Sequence, residues 1–183
     1  MAYRNGTYVA FYANSTAEPT ESDMKYYRLL QAWSVREDQD FEFVNSHEKT
    51  GAVRDSSKRE TLRRSLMERL NNSKNMILII GKTTKEDTDW IPFEIEYAVD
   101  KCGIPIVAAY TGYSRILRPA ELSQLWPASL AARIANGSAH VIHVPFKQQP
   151  LADAVSQFSH NKYPEGNGLA YYGEDTYRRW GLL

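Results

Sequence analysis

The hydrophobic positions of the chain form two patterns that alternate along its length. Short runs of β-branched, aliphatic and aromatic residues are typical of strands, whereas apolar residues three or four positions apart are typical of helices that face a core. The short runs predict five strands, at residues 7–13, 41–44, 75–80, 104–110 and 139–144. The longer pattern predicts five helices, at residues 22–37, 57–70, 89–102, 118–136 and 151–158.

This alternation of strand and helix predicts an α/β fold with a parallel sheet and helices on both of its faces. Residues 75–80 form the most apolar strand and belong in the centre, which favours a three-layer sandwich with the flavodoxin-like order 2-1-3-4-5. In such a sheet a ligand binds where the order reverses, between the carboxyl ends of strands one and three. We expect one domain at residues 1–159, with the Gly- and Tyr-rich tail of residues 160–183 packing on it.

Composition narrows the function without identifying it. The 183 residues are 43% hydrophobic, and 22 basic against 22 acidic residues leave no net charge that would attract nucleic acid or a membrane. The one cysteine, Cys102, cannot form an internal disulfide, and the first residues lack the apolar run of a signal peptide. We therefore expect a cytoplasmic protein. His140 and His143 point to opposite faces of a predicted strand, so we expect no metal site there.

The third helix carries the most informative acidic residue. We expect Asp89 to cap it. On a helical wheel Glu94 lies roughly 85° from the centre of the apolar stripe, and Glu96 roughly 115°. Glu94 is also close to the helix start, which faces the crevice, so it is the acid best placed to reach a ligand. A glutamate in the first turns can equally serve to stabilise the helix dipole. The apolar stripe consists of Ile91, Ile95, Ala98, Val99 and Cys102.

The segment Asp89-Trp90-Ile91-Pro92-Phe93-Glu94-Ile95 resembles a motif of NAD-cleaving TIR domains, in which Trp-x-x-x-Glu lies on the helix after the third strand. The aromatic end of the first strand, at Phe11 and Tyr12, is also similar to those domains, and so is the order of elements up to residue 158. More closely, the chain resembles the TIR-like proteins of bacterial Thoeris-type antiphage defence, the ThsB-like family. The resemblance implies that Glu94 is catalytic.

The resemblance also implies an enzyme of the NAD glycohydrolase or ADP-ribosyl cyclase type. Such an enzyme cleaves NAD, which is its substrate and not a cofactor, at the nicotinamide–ribose bond. The product is a cyclic or otherwise modified ADP-ribose messenger that activates a separate effector protein. Cleavage builds positive charge on the ribose, which one carboxylate can stabilise. Two alternatives stay open: a non-catalytic TIR-like module that acts by assembly, and an enzyme similar to the nucleoside deoxyribosyltransferases.

Seven further residues are candidates for holding the substrate in the crevice. Aromatic rings among them could stack on nicotinamide or adenine, basic side chains could meet the pyrophosphate, and an acidic side chain could bind a ribose hydroxyl. Each also has a simpler interpretation, as a core residue or as a solvated loop residue. The seven are Phe11, Tyr12, Asn14, Arg54, Asp55, Lys82 and Trp90.

Phe93 and Tyr97 lie four residues apart and point almost directly away from the apolar stripe of the third helix. Two aromatic rings on an outward face indicate either a surface for association or cover by the C-terminal tail. We favour association, and we expect a homo-oligomer with these two residues in its interface.

Overall fold

Parallel strands form the centre of the molecule. The computed structural model describes residues 4–13, 23–35, 43–44 and 56–183, except for the side chains of residues 43, 44, 56 and 57. Within these residues the sheet has six strands in the order β2-β1-β3-β4-β5-β6, and every neighbouring pair is parallel. The strands are β1 Gly6–Ala10, β2 Phe43–Val44, β3 Ser73–Ile80, β4 Ile106–Tyr110, β5 Val141–Pro145 and β6 Ala170–Tyr171.

The α/β class and the flavodoxin-like arrangement of a parallel sheet between helices are confirmed. β3 lies between β1 and β4, and its last six residues are all buried, because helices cover the sheet on both faces. The expectation of five strands was wrong by one. The sixth strand has two residues in a Gly-rich segment, too short for any hydrophobic period to show.

The helices form one layer on each face of the sheet. Successive residues of a strand point to opposite faces, so Tyr8 and Leu78 lie under one layer and Val9 and Ile77 under the other. We call the first the α3 face, covered by α2, α3 and α4, and the second the α1 face, covered by α1 and α5. The helices are α1 Met24–Ser34, α2 Ser56–Asn71, α3 Trp90–Glu96, α4 Ala128–Ala135, α5 Gln148–Gln157 and α6 Glu174–Arg179.

Shorter helical turns complete these elements. A 3-10 turn at Thr84–Glu86 precedes α3, and a second at Pro119–Leu125 precedes α4. The predicted helix at residues 118–136 is therefore interrupted near Pro127, as its proline indicated. None of the helices formed by the described residues is long and apolar enough to span a membrane.

The start of α3 differs from the expected capping. The Asp89 side chain makes no capping hydrogen bond, whereas Asp87 Oδ1 accepts the backbone N–H groups of Asp89 and Trp90, each at 2.9 Å. The N–H groups at the start of a helix have no acceptor within it. Asp87 can accept two of them because it lies two residues before Asp89. Pro92 is the third residue of the helix, where its missing N–H costs no intrahelical bond. After Glu96 the chain continues as a wider π-helical segment, Tyr97–Cys102.

The tail of residues 160–183 packs on the β5 side of the sheet. β6 pairs with β5, and the carbonyl of Gly168 accepts a hydrogen bond of 2.8 Å from His143 Nε2. Tyr177 of α6 is fully buried, with its hydroxyl 3.3 Å from both the backbone N and the backbone O of Ile116. The tail therefore holds the loop that follows β4.

Candidate active site

Glu94 lies in the second turn of α3, and its side chain points into the layer between that helix and the sheet. Its exposed fraction is 0%, and its Oε1 atom accepts a hydrogen bond from the hydroxyl of Tyr8 on β1. Because β1 and β3 are neighbours and α3 follows β3, the fold brings together two residues that are 86 positions apart.

The sequence predicted that Glu94 lies on the border of the buried face of α3. This prediction was wrong, because the side chain is fully buried. The helical wheel considered the apolar residues of α3 alone, whereas the folded helix is covered by the sheet and by neighbouring helices. The buried arc is therefore wider than the apolar stripe and includes Glu94. Glu96, farther from the apolar stripe, has 53% of its side chain exposed and one oxygen 3.9 Å from Arg133.

The hydroxyl of Tyr8 is a neutral donor to Glu94. Burial raises the pKa of Tyr8 well above its usual value, and the negative charge and hydrogen bond of Glu94 raise it further. The positive charge of Arg69 on α2 acts in the opposite direction. Since water is excluded from this layer, the electrostatic interactions of a carboxylate here are stronger than they would be at the surface.

Trp90 lies one turn before Glu94, at the start of α3, and is half-buried. The guanidinium of Arg59 on α2 lies 5.0 Å from the centre of its ring, and the same guanidinium forms an ion pair with Asp89. A ligand that stacked on this face of Trp90 would have to displace Arg59.

The outward orientation predicted for Phe93 and Tyr97 was also wrong. Both rings are half-buried against the core of the α3 face, because α2 packs beside α3 and covers them. The guanidinium of Arg63 lies 4.3 Å from the centre of the Phe93 ring, and the amide of Asn71 donates a 3.2 Å hydrogen bond to the Tyr97 hydroxyl. These contacts come from α2, whereas the alternative interpretation expected the C-terminal tail to cover the two rings. A role of the two rings in association stays a prediction.

Two of the aromatic candidates follow directly after β1. Phe11 packs in the core of the α1 face, where it is 1% exposed and stacks on Tyr27 with 4.9 Å between the ring centres. This position matches its simpler interpretation as a core residue. Tyr12 is half-buried at the carboxyl end of the strand, and partial burial, followed by the negative charges of Asp87 and Glu86, raises its pKa.

The remaining candidates are loop residues. Lys82 is exposed and comes directly after Gly81, at the carboxyl end of β3, so it borders the edge where the strand order reverses. Asn14, Arg54 and Asp55 lie outside the described residues. Their expected contacts with the pyrophosphate and ribose stay predictions.

Asp23 and Thr84 are two buried polar residues that the sequence analysis did not identify as candidates. Asp23 is 6% exposed at the edge between β1 and β3, and Thr84 donates a hydrogen bond to it. Burial raises the pKa of Asp23 to about 6, against the opposing effect of the bond from Thr84. The available signal was an aspartate in the first turn of a predicted helix, a pattern typical of an ordinary helix start.

An open cleft of about 330 Å³ lies elsewhere, beyond the end of β4. Neither Glu94 nor Trp90 lines it, so it gives no route to the acid. In the part of the chain that the structure describes, no three His, Cys, Asp or Glu side chains converge as a metal site. The cleft is lined by Tyr113, Arg115, Ile116, Leu117, Arg118, Glu121 and Leu122.

Comparison with known families gives the class of the protein. The family model described as "Thoeris protein ThsB, TIR-like domain" matches residues 8–115, more than half of the chain. The match extends from Tyr8 on β1 past the end of β4 and includes Glu94 and Trp90. The chain therefore belongs to the ThsB TIR-like family, with a TIR-like role in Thoeris antiphage defence.

Proposed function

We propose that this chain cleaves NAD at the nicotinamide–ribose bond, and that the product is a cyclic or otherwise modified ADP-ribose messenger for a separate effector. The observation that carries the proposal is the buried contact of Glu94 with Tyr8. Glu94 is the acid of the Trp-x-x-x-Glu motif on the helix after β3, and its side chain has no exposed surface there. Membership of the ThsB TIR-like family supports the same reaction class.

The proposed reaction requires one negative group beside the ribose. The bond between the anomeric carbon and the nicotinamide nitrogen breaks, and its electron pair leaves with nicotinamide, which becomes a neutral base. Positive charge then develops on the ribose, and the carboxylate of Glu94 stabilises it. Water can add to this carbon and lose a proton to give ADP-ribose, whereas attack by a nucleophile of the same molecule gives a cyclic product. A strong general acid is unnecessary because the leaving group is neutral.

Tyr8 has a supporting part in this proposal. As a protonated donor it holds one oxygen of Glu94 in place, which leaves the acid a fixed orientation toward the substrate. A preoriented carboxylate in a dry site needs no solvent reorganisation as charge develops.

Substrate can reach Glu94 after a rearrangement uncovers it, since the side chain has no exposed surface in this conformation. We therefore expect the isolated protein to turn over NAD weakly or not at all, and to be activated by a trigger that is present during infection. A chain that cleaved NAD rapidly without any trigger would contradict this part of the proposal.

The proposal is tested with Glu94→Gln, which removes the charge and keeps the shape of the side chain. Its matched control is Glu96→Gln, two residues along and exposed. Each purified variant is incubated with NAD and with lysate of phage-infected cells that lack this chain, and products are identified by mass. We expect Glu94→Gln to abolish turnover and Glu96→Gln to retain it. Equal activity of the two variants would refute the role of Glu94.

A further inference from the structure

Asp23 is a buried carboxylate that the proposed chemistry does not use. It comes directly before α1, and its backbone N–H donates to the carbonyl of Tyr12 at 3.1 Å, which ties it to the end of β1. Its own carbonyl accepts the N–H groups of Tyr26 and Tyr27 in the first turn of α1. The side chain does not cap this helix, so its position needs another explanation.

The side chain of Asp23 crosses to the end of β3. The hydroxyl of Thr84 donates a 3.1 Å hydrogen bond to Asp23 Oδ2, and it accepts the backbone N–H of Gly81 at 2.8 Å. A Cβ atom on Gly81 would lie 2.8 Å from Asp23 Oδ1, closer than real Cβ contacts, so a larger residue there would displace the Asp23 carboxyl group. Thr84 is fully buried. Asp23 and Thr84 thus form a bridge between the carboxyl ends of β1 and β3.

The bridge continues to the start of α3. Thr84 opens the 3-10 turn, and its carbonyl accepts the N–H of Asp87 at 3.3 Å. Asp87 in turn holds the N–H groups of Asp89 and Trp90, four residues before Glu94. The hydrogen bonds and the short turn between Thr84 and Asp87 therefore connect the end of β1 to the first turn of the helix that carries Glu94.

We propose that Asp23, acting through Thr84, is a positioning residue that fixes the start of α3 and so sets Glu94 against β1. This inference rests on the proposed function of Glu94. The two partners of the candidate site are on different elements, Tyr8 on β1 and Glu94 on α3, and the bridge joins those same elements at the edge where the strand order reverses. A misplacement of about 1 Å in a catalytic group can cost about a hundredfold in rate.

The burial of a carboxyl group at Asp23 indicates a purpose beyond packing. Burial raises its pKa to about 6, while the hydroxyl of Thr84, the positive charge of Lys25 and the backbone of Tyr12 act to lower it. A buried carboxylate reduces the stability of a fold at neutral pH unless its hydrogen bonds compensate. An apolar residue here would avoid that cost but could not accept the hydroxyl of Thr84.

The first test breaks the bridge at its centre. Thr84→Val keeps the shape of the side chain and removes the hydroxyl, whereas Thr84→Ser keeps the hydroxyl and is the conservative variant. In the triggered NAD assay we expect Thr84→Val to lower kcat by about tenfold to a hundredfold, with KM changed less than threefold, and Thr84→Ser to restore most of kcat. A loss that appears in KM alone, or that Thr84→Ser fails to restore, would overturn the positioning role.

The second test separates hydrogen bonding from charge at Asp23. Asp23→Asn keeps an oxygen that can accept from Thr84, whereas Asp23→Ala removes it. A positioning residue predicts that Asp23→Ala lowers kcat as much as Thr84→Val does, and that Asp23→Asn loses much less. If Asp23→Asn were as inactive as Asp23→Ala, the charge itself would be required, and the positioning role would be wrong.

Amide hydrogen exchange tests the bridge without any dependence on NAD chemistry. In Thr84→Val we expect faster exchange of the Gly81 amide, which loses its acceptor, and also of the Trp90 amide at the start of α3; Thr84→Ser should protect both. Faster exchange at Gly81 alone would mean that the bridge does not reach α3, which refutes the inference even if NAD is cleaved. If both amides respond while the unaltered chain cleaves no NAD under the triggered conditions, the proposed function fails, and the positioning role falls with it.

Discussion

Two buried tyrosines on the α3 face, Tyr8 on β1 and Tyr110 on β4, each share a hydrogen bond with a titratable side chain. Tyr8 donates to the carboxyl group of Glu94. The hydroxyl of Tyr110 lies 2.7 Å from His143 Nδ1 and accepts a 2.7 Å hydrogen bond from the indole N–H of Trp126. The same sheet therefore contains two tyrosine-centred polar pairs, and they differ in how each is completed.

The pair at Tyr110 belongs to a linear series of hydrogen bonds between neutral groups. His143 donates from Nε2 to the carbonyl of Gly168, so its Nδ1 is the acceptor for the Tyr110 hydroxyl, which in turn accepts from Trp126. Burial lowers the pKa of His143 to about 4, which keeps the ring neutral at pH 7. Every polar atom named here has a partner and no charge is buried, as expected of a structural network.

The pair at Tyr8 places a carboxyl group, able to carry a full charge, in the same kind of dry layer. A neutral residue of similar shape would fit there at a lower desolvation cost, as the pair at Tyr110 illustrates. The contrast teaches that burial and a tyrosine partner do not by themselves indicate function. The acid is what distinguishes the two pairs, and substitution of Glu94 tests whether its charge is used.

The largest difference is expected in NAD turnover. Glu94→Gln should lower it by about a thousandfold, equivalent to about 4 kcal/mol of barrier, because the developing positive charge loses its counter-charge. Tyr110→Phe removes a polar contact of comparable burial and should leave turnover within about twofold. Both are measured as product formed in the triggered assay. Similar losses in the two variants would mean that the assay reports general damage to the α3 face.

The fold was accessible to sequence reasoning because it depends on repeated local signals. The runs at β3 and β4 are apolar over several residues, and the helical segments between strands have clear periods, so element type and sheet class followed. β6 and α6 were missed because each is short and forms only by packing on β5 and on the loop around Ile116. Their stability is tertiary, and a local pattern does not contain it.

The candidate site was accessible only in part, for the same reason. Glu94 was identified from its motif and helix position, but its partner Tyr8 is 86 residues away and its burial depends on α2 and the sheet. The bridge through Asp23 and Thr84 joins two junctions that are 61 residues apart. Contacts of this kind depend on how elements pack, which spacing along one helix does not report.

A smaller effect is expected at the pair of Tyr110 and His143, where the free energy of unfolding should fall by about 3 kcal/mol between pH 7 and pH 4. An unfolded histidine binds a proton below about pH 6.5, whereas the pKa of His143 is lowered to about 4 in the fold. Between these values the unfolded chain binds more protons, so His143 contributes stability that is complete above pH 6.5 and is lost as the pH falls to 4. Urea unfolding at pH 7 and pH 4 measures the change.

His143→Gln is the matched variant for this measurement, because glutamine can accept from Tyr110 and donate to Gly168 without titrating. The difference between the two chains isolates the histidine from Asp23, whose pKa of about 6 acts in the same range with the opposite sign. Acidification protonates Asp23 more readily in the fold than in the unfolded chain, and so stabilises the fold. An equal pH dependence in the two chains would show that His143 is not buried in its neutral form.

The smallest effect concerns the segments of the chain that pack over the two tyrosine pairs. The tail reaches His143 through Gly168, whereas on the Glu94 side α2 packs over α3 through the contact of Arg63 with Phe93. Arg63→Ala should lower the free energy of unfolding by about 0.5–1 kcal/mol, the usual range for a cation–π contact near the surface.

If Phe93 and Tyr97 serve in association, as the sequence suggested, the loss of the Arg63 side chain that covers Phe93 should instead change the sedimentation of the chain. Melting and sedimentation measured on one preparation separate the two, with Arg64→Ala on the solvated side of α2 as the control. Arg64 forms an ion pair with Glu60, and both side chains are 75% exposed, so its loss should change stability by no more than a few tenths of a kcal/mol. Equal melting of the two variants would show that the contact of Arg63 with Phe93 does not hold α2 on α3.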